Sequence, residues 1–206
     1  MRWHSNPLPK AFQKGNLIIL YLGHSVKDYI QNFLYKLDPA TLLCPACQTP
    51  SLVRHGAYRR SLTWGCETFV ITVYRVKCCH CGRTHAILPD FIAPYRHYAL
   101  PDIEEAVSRV LDRTIPVEKA SKYCDVSTVK RWVYAFKVKV NTVIGLLNSM
   151  AIRLYDRAAR LIATGSSLNH WQQFLAALSL LGSSAASSEM GLANIYVTSD
   201  QTIVFL

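Results

Sequence analysis

The sequence has no uninterrupted apolar stretch near the roughly 20 residues that a membrane-spanning helix needs. Its longest apolar runs are Leu17–Leu22 and Phe174–Leu181, the second broken by Ser179. The opening residues, Met1-Arg2-Trp3-His4-Ser5-Asn6-Pro7, lack an apolar core followed by a small-residue cleavage site, so no secretory leader is expected. There is no glycine-rich phosphate loop and no long repeat. Acidic residues are scarce, 13 Asp and Glu against 23 Lys and Arg, for a formal net charge of +10. These absences argue against a membrane protein, a secreted disulfide scaffold and a phosphate-loop enzyme. They leave a cytoplasmic, reduced chain of 206 residues, 50% of them hydrophobic, which is enough apolar material for a packed core.

The positive charge is segregated. Seven cations (Arg54, Arg59, Arg60, Arg75, Lys77, Arg83, Arg96) lie between Leu52 and His97 against Glu67 and Asp90, and six (Lys119, Lys122, Lys130, Arg131, Lys137, Lys139) lie between Lys119 and Lys139 against Asp125. No Lys or Arg follows Arg160. A basic surface that served only solubility would not be divided in this way. A polyanion-binding face is therefore expected between residues 52 and 139, and a different task for the last third of the chain.

Four of the seven cysteines form two Cys-x-x-Cys pairs, Cys44/Cys47 and Cys78/Cys81. In a reduced compartment, paired cysteines point to metal or redox chemistry. Two residues between cysteines let both sulfurs meet one ion, and two such knuckles complete a tetrahedron around zinc. Gly82, directly after Cys81, suits the left-handed position of such a turn. Four thiolates leave no open position for water, so the expectation is one structural Zn2+ and no catalytic metal. Cys79 competes with Cys78 for the second knuckle, although Cys79-x-Cys81 has the wrong spacing. Cys66 and Cys124 are expected to pack in the interior. His55, His80 and His85 are alternative ligands, read more simply as a strand residue and two polar loop residues.

The patterning predicts an α+β chain. A strand is expected in Asn16–Gly23 after a loose lead-in over residues 1–16, then a helix Val26–Leu37 capped by Ser25. Strands follow at Leu52–Arg60 and Glu67–Lys77. In the second, Phe69, Ile71 and Val73, with Arg75 continuing the phase, alternate with Val70, Thr72, Tyr74 and Val76. Pro89, Pro94 and Pro101 make Ile87–Pro101 an extended connector. Helices are expected from Asp102, over Val117–Tyr123, from Ser127 as far as Ile162, and over His170–Leu181. Gly165-Ser166-Ser167 interrupts, Gly182–Ser188 is small and polar, and Ile195–Leu206 reads as a hairpin turning at Ser199-Asp200. The resulting division is 1–43, an N-terminal strand and helix; 44–88, a zinc ribbon; 89–101, a connector; 102–139, a helix-turn-helix; and 140–206, a helical region for self-association or partner contact.

Ile115–Phe136 reads IPVEKASKYCDVSTVKRWVYAF. Val117, Ala120 and Tyr123 form one inward face, and Val129, Trp132 and Val133 form the next. Ser127 would cap a second helix whose Ser127, Thr128, Lys130 and Arg131 are offered to phosphates and base edges. Cys124 stands where the usual motif has glycine, and the turn is shorter than usual. An ordinary basic helical hairpin is the simpler alternative.

The order CPAC, HGAYRRSL, YRVKCCHCGRTHAILPDFIAPYRHY and the Ser-Thr-Val-Lys-Arg-Trp helix resembles the N-terminal DNA-binding part of bacterial insertion-sequence transposases and their small non-catalytic relatives. The resemblance covers about residues 17–136 and is most specific over Tyr74–Tyr98. It implies binding of double-stranded DNA through a ribbon held by Cys44, Cys47, Cys78 and Cys81 and through the basic residues near Arg131. Arg54, Arg59, Arg60, Arg75 and Lys77 are the cations of that ribbon. Transposase chemistry needs carboxylates that hold two metal ions. Only Asp156, Glu189 and Asp200 follow residue 126, so no catalytic residues are expected. The expected function is a sequence- or structure-specific DNA-binding protein, an accessory or regulatory factor of a transposable element that works with a separate transposase or integrase or as a homo-oligomer. The alternatives are a zinc-ribbon adaptor for protein or RNA and a truncated nuclease.

Overall fold

A computed structural model describes residues 17–155, 168–182 and 185–200. The expectations for residues 1–16, for a helix beyond Tyr155, for the break at 165–167 and for residues 201–206 lie outside these. The fold is mixed α and β, with one four-stranded sheet and five helices among the described residues.

The sheet has the order β1-β4-β3-β2. Its long arm is a hairpin of β2 (Leu52–Trp64) and β3 (Glu67–Cys78), closed by Gly65-Cys66 with Gly65 at φ 61°. β4 (Thr84–Pro89) returns antiparallel to β3, and β1 (Leu17–Leu20) adds parallel to β4, pairing Leu17 with Ala86 and Leu20 with Pro89. Two expectations change here. The connector expected from Ile87 is preceded by a strand, and the N-terminal segment supplies that strand's partner, so residues 17–43 share the core of the cysteine region. The alternation in β3 also switches: Ile71 and Val73 are buried, then Val76 and Cys78 on the other face, while Arg75 is exposed. The buried side changes at Tyr74–Arg75, opposite the bulge between Arg54 and Gly56 of β2, so a single period-2 phase does not describe the strand.

Ser25 caps α1 (Val26–Asp28), accepting from the Asp28 N–H at 3.1 Å, and the chain continues as a π-helical turn over Tyr29–Phe33. Tyr29 is buried and donates its hydroxyl to the Thr72 carbonyl at 2.8 Å, fixing this segment to β3. One apolar core runs from Ile19 to Ala99.

The second core runs from Ala93 to Val197 and is helical. α2 (Leu100–Leu111) buries Leu100, Ile103, Ala106 and Val107 and starts before the expected Asp102, with Pro101 in its first turn where no N–H is needed. The helix expected over Val117–Tyr123 is only a 3-10 turn, Val117–Lys119; Ala120 is buried as expected, but Tyr123 is exposed. α3 (Val126–Tyr155) is 30 residues long and buries Val129, Trp132, Val133, Phe136, Val140, Val143 and Leu147 at helical spacing. Its first turn hangs on the Asp125 carbonyl, which accepts from the Thr128 and Val129 N–H groups, so Ser127 lies inside the turn and is not its cap. α4 (His170–Ser179) opens with a capping box between Asn169 and Gln172.

The expected C-terminal hairpin is overturned. Residues Glu189–Asp200 form a helix, α5. The β-branched and aromatic run Ile195–Thr198 favours strand locally, but Met190, Ala193, Asn194 and Val197 recur at helical spacing and are all buried. Two carboxylates hold its N-terminal end. Glu104 accepts from the Met190 N–H at 2.8 Å, and fully buried Asp90 accepts from the N–H and hydroxyl of Ser187. A side chain at Gly191 would crowd Asp90, since a Cβ would stand 3.0 Å from Asp90 Oδ2 and 3.2 Å from the Asp90 carbonyl oxygen.

Candidate metal centre and basic surface

The two Cys-x-x-Cys segments fold alike. The Gln48 N–H donates to the Cys44 carbonyl at 2.8 Å and the Cys44 N–H to the Thr49 carbonyl at 3.0 Å; the Gly82 N–H donates to the Cys78 carbonyl at 2.9 Å and the Cys78 N–H to the Arg83 carbonyl at 2.8 Å. Gln48 (φ 58°) and Gly82 (φ 74°) occupy the same left-handed position, four residues after the first cysteine of each pair. The sequence revealed that demand only where glycine meets it.

The knuckles face each other. Cys44 Sγ lies 3.7 Å from Cys81 Sγ and Cys47 Sγ 3.6 Å from Cys78 Sγ, with all four sulfurs within 4.8 Å of one another. A tetrahedron with metal–sulfur bonds of about 2.3 Å has sulfur–sulfur edges of roughly 3.8 Å, so the cluster has the dimensions of a four-thiolate metal shell. Cys79 is exposed and outside the cluster, to which Cys78 supplies the sulfur. Cys66, expected to pack inside, is exposed at the hairpin turn; Cys124 is half-buried.

Around the sulfurs lie donors that the sequence did not disclose. The Thr49 hydroxyl is 3.0 Å from Cys47 Sγ and the Ser51 hydroxyl 3.2 Å from Cys78 Sγ. His85, expected as a polar loop residue, is fully buried on β4 with Nε2 3.3 Å from Cys44 Sγ, and no partner for its Nδ1 is found among the described residues. Backbone N–H groups serve every sulfur: Ala46 and Cys47 on Cys44, Thr49 on Cys47, Cys81 on Cys78 and Arg83 on Cys81. The Ser51 hydroxyl draws the Cys78 thiol down to about 5, and the Thr49 hydroxyl draws Cys47 down to about 7. Burial pushes Cys44 up to about 12 and also raises Cys81. Burial lowers His85 and keeps its imidazole neutral, able to donate through Nε2.

The cations fall in two places. Arg54, Arg59, Arg75 and Lys77 are exposed on the β2–β3 arm, and Arg60 is half-buried, donating to the Arg96 carbonyl. Arg54 is partly occupied: it donates to the Leu37 carbonyl at 2.9 Å and stacks 5.0 Å from the Tyr74 ring centre. β2 is an edge strand, and a bulge between Arg54 and Gly56 leaves His55 without a partner on β3. Lys130 and Arg131 are exposed in the opening turns of α3, with Ser127 exposed and Thr128 accepting from the Arg131 guanidinium at 2.9 Å.

The connector joins the two groups. The His97 carbonyl accepts from the Thr63 N–H at 2.6 Å, and the Tyr98 ring meets Trp132 of α3 edge-on at 5.1 Å. Tyr95, in the same connector, is 77% exposed at φ 61°, an unusual conformation for a residue with a side chain.

Residues 44–132 are similar to a family described as a domain of unknown function (DUF6431). The match starts at the first cluster cysteine and ends at Trp132, so it takes in both knuckles, the arm, the connector, α2 and the start of α3. No curated protein and no solved structure matches the chain.

Proposed function

We propose that the chain is a DNA-binding protein in which one structural zinc fixes a basic β-ribbon beside a basic helix start. The knuckle geometry supports the zinc, because four thiolates fill a tetrahedron and leave no position for a reacting water. Such an ion would contribute folding energy on the order of 10 kcal/mol. The observation that carries the DNA reading is the pairing of two exposed cationic elements through one braced connector. A two-stranded ribbon and a helix N-terminus both fit a B-DNA major groove. Arg59, Arg75, Lys77, Lys130 and Arg131 would meet phosphates and base edges, and the Tyr95 hydroxyl could donate to a phosphate.

In this reading the 3-10 turn Val117–Lys119 and the start of α3 take the places of the helix pair of a helix-turn-helix, the first reduced to a single turn. The helical region after Lys139, free of cations after Arg160, carries self-association or contact with a separate transposase or integrase. The chain is then an accessory or regulatory factor of a mobile element and not its catalyst. Titration of a duplex at several salt concentrations tests the reading. Neutralising about six phosphates gives a logarithmic salt slope of about −5. Binding that does not change with salt rejects it.

A further inference from the structure

The four sulfurs of the cluster are not equally protected. Cys44 and Cys78 are buried, Cys47 is half-buried and Cys81 is exposed. Cys44 has the His85 imidazole at 3.3 Å, Cys47 the Thr49 hydroxyl at 3.0 Å, and Cys78 the Ser51 hydroxyl at 3.2 Å. Each of these is added to a backbone N–H. Cys81 has only the Arg83 N–H; among the described residues no hydroxyl or imidazole reaches its sulfur. Donors around a metal-bound thiolate draw off electron density and orient the ligand, so they lower its nucleophilicity. Burial closes the path of attack as well. The exposed residue of the four is thus also the one whose sulfur has no side-chain donor.

We propose that Cys81 is a modification site, the ligand at which small electrophiles and peroxides attack the loaded centre and release its ion. The proposal rests on the zinc reading above. With a maleimide, the Cys81 sulfur adds to the carbon–carbon double bond, a C–S bond forms, and the neighbouring carbon takes a proton from water. With a peroxide, the sulfur attacks one oxygen, the O–O bond breaks, hydroxide or alkoxide leaves, and a sulfenic acid forms: sulfur loses two electrons and the peroxide gains them. Either product is a poor zinc ligand. Three thiolates, Cys44, Cys47 and Cys78, then hold the ion in an incomplete shell, from which a chelator withdraws it. The centre thereby becomes responsive to oxidants, with the response starting at one sulfur.

The test uses the full-length chain after its zinc content has been measured. Wild-type protein is treated with limiting N-ethylmaleimide, and in parallel with hydrogen peroxide followed by a sulfenic-acid trap. Zinc release is followed with a chelating dye, and adducts are located by fragment mass spectrometry, which resolves Cys66, Cys79 and Cys124 separately. The expected result is labelling of Cys81 at least tenfold faster than Cys44, Cys47 or Cys78, with zinc released in step with the Cys81 adduct and not with the Cys79 adduct. T49V, which keeps the side-chain shape and removes the hydroxyl, should raise labelling of Cys47 several-fold. Equal labelling of the four sulfurs, or first attack at another of them, in a chain that holds one zinc overturns the proposal and leaves the zinc reading standing. A chain that takes up no zinc overturns both.

Discussion

The Asp90 carboxylate accepts both the N–H and the hydroxyl of Ser187, a residue 97 positions later, and so ties the end of β4 to the entry of α5. Burial raises the Asp90 carboxyl above the usual carboxylate range, against the pull of these hydrogen bonds. The folded state therefore holds a proton more tightly than the unfolded chain. Its contribution to stability is full below an unfolded value of about 3.9 and is lost as pH rises through the higher folded value. D90N removes that titration, so the stability of wild type relative to D90N should fall as pH rises from about 4. Urea unfolding of both proteins across this range checks the sign; a difference that does not vary with pH contradicts it. D90A, which strands the Ser187 N–H, should cost about 1–3 kcal/mol.

A second prediction concerns the joint between connector and helix. Tyr98 is half-buried and packs edge-on against Trp132, which is 2% exposed. Y98A should destabilise the fold by about 2 kcal/mol, less than the roughly 3–5 kcal/mol of a fully buried aromatic. Y98F should stay within about 0.5 kcal/mol of wild type if the ring packing, and not the hydroxyl, carries the effect. Chemical denaturation of the two variants separates these contributions.

Metal removal should act unevenly. Cys44 and Cys78 belong to the core of the sheet, whereas the helical core contains none of the four cluster cysteines. A strong chelator, or C44S, is expected to abolish the β contribution to the far-ultraviolet spectrum while much of the helical signal persists. Loss of both signals together at the same chelator concentration would mean that the two cores fold only as one unit.

Charge reversal provides the fourth prediction. K130E/R131E should weaken duplex binding at least tenfold and make the salt slope about 2 units shallower, one for each phosphate that is no longer neutralised. These side chains are exposed, so thermal stability should stay within about 1 kcal/mol of wild type. Unchanged affinity would move the binding face away from α3.

The four-cysteine cluster was legible because a knuckle is local: two intervening residues decide whether both sulfurs can face one point. His85, Thr49 and Ser51 were not, since each approaches its sulfur only after β2, β3 and β4 have paired. A signal did exist for His85. The run after Gly82 returns as a strand, and His85 shares a face with Ile87, which marks both as interior. The 3.6 period exposed the long helix around Trp132, yet the same reasoning missed α5, where β-branched residues mask helical burial. Pro89 and Pro94 drew the connector's boundary too early and hid β4. Cys66 was misplaced because cysteine is usually interior, whereas a two-residue hairpin turn holds it in solvent.

The bulge at His55 also bears on how copies of the chain behave when crowded together. A 13-residue edge strand is the sort of backbone that recruits another strand and seeds fibrils. Here the distal end is covered, since Thr63 exchanges hydrogen bonds with His97 and Ala99. The open stretch carries Arg54 and Arg59, and its hydrogen-bonding rhythm is broken at Gly56. Two copies brought edge to edge would meet like charges and a mismatched ladder. The irregularity that shapes the arm thus works against the edge-to-edge pairing of copies.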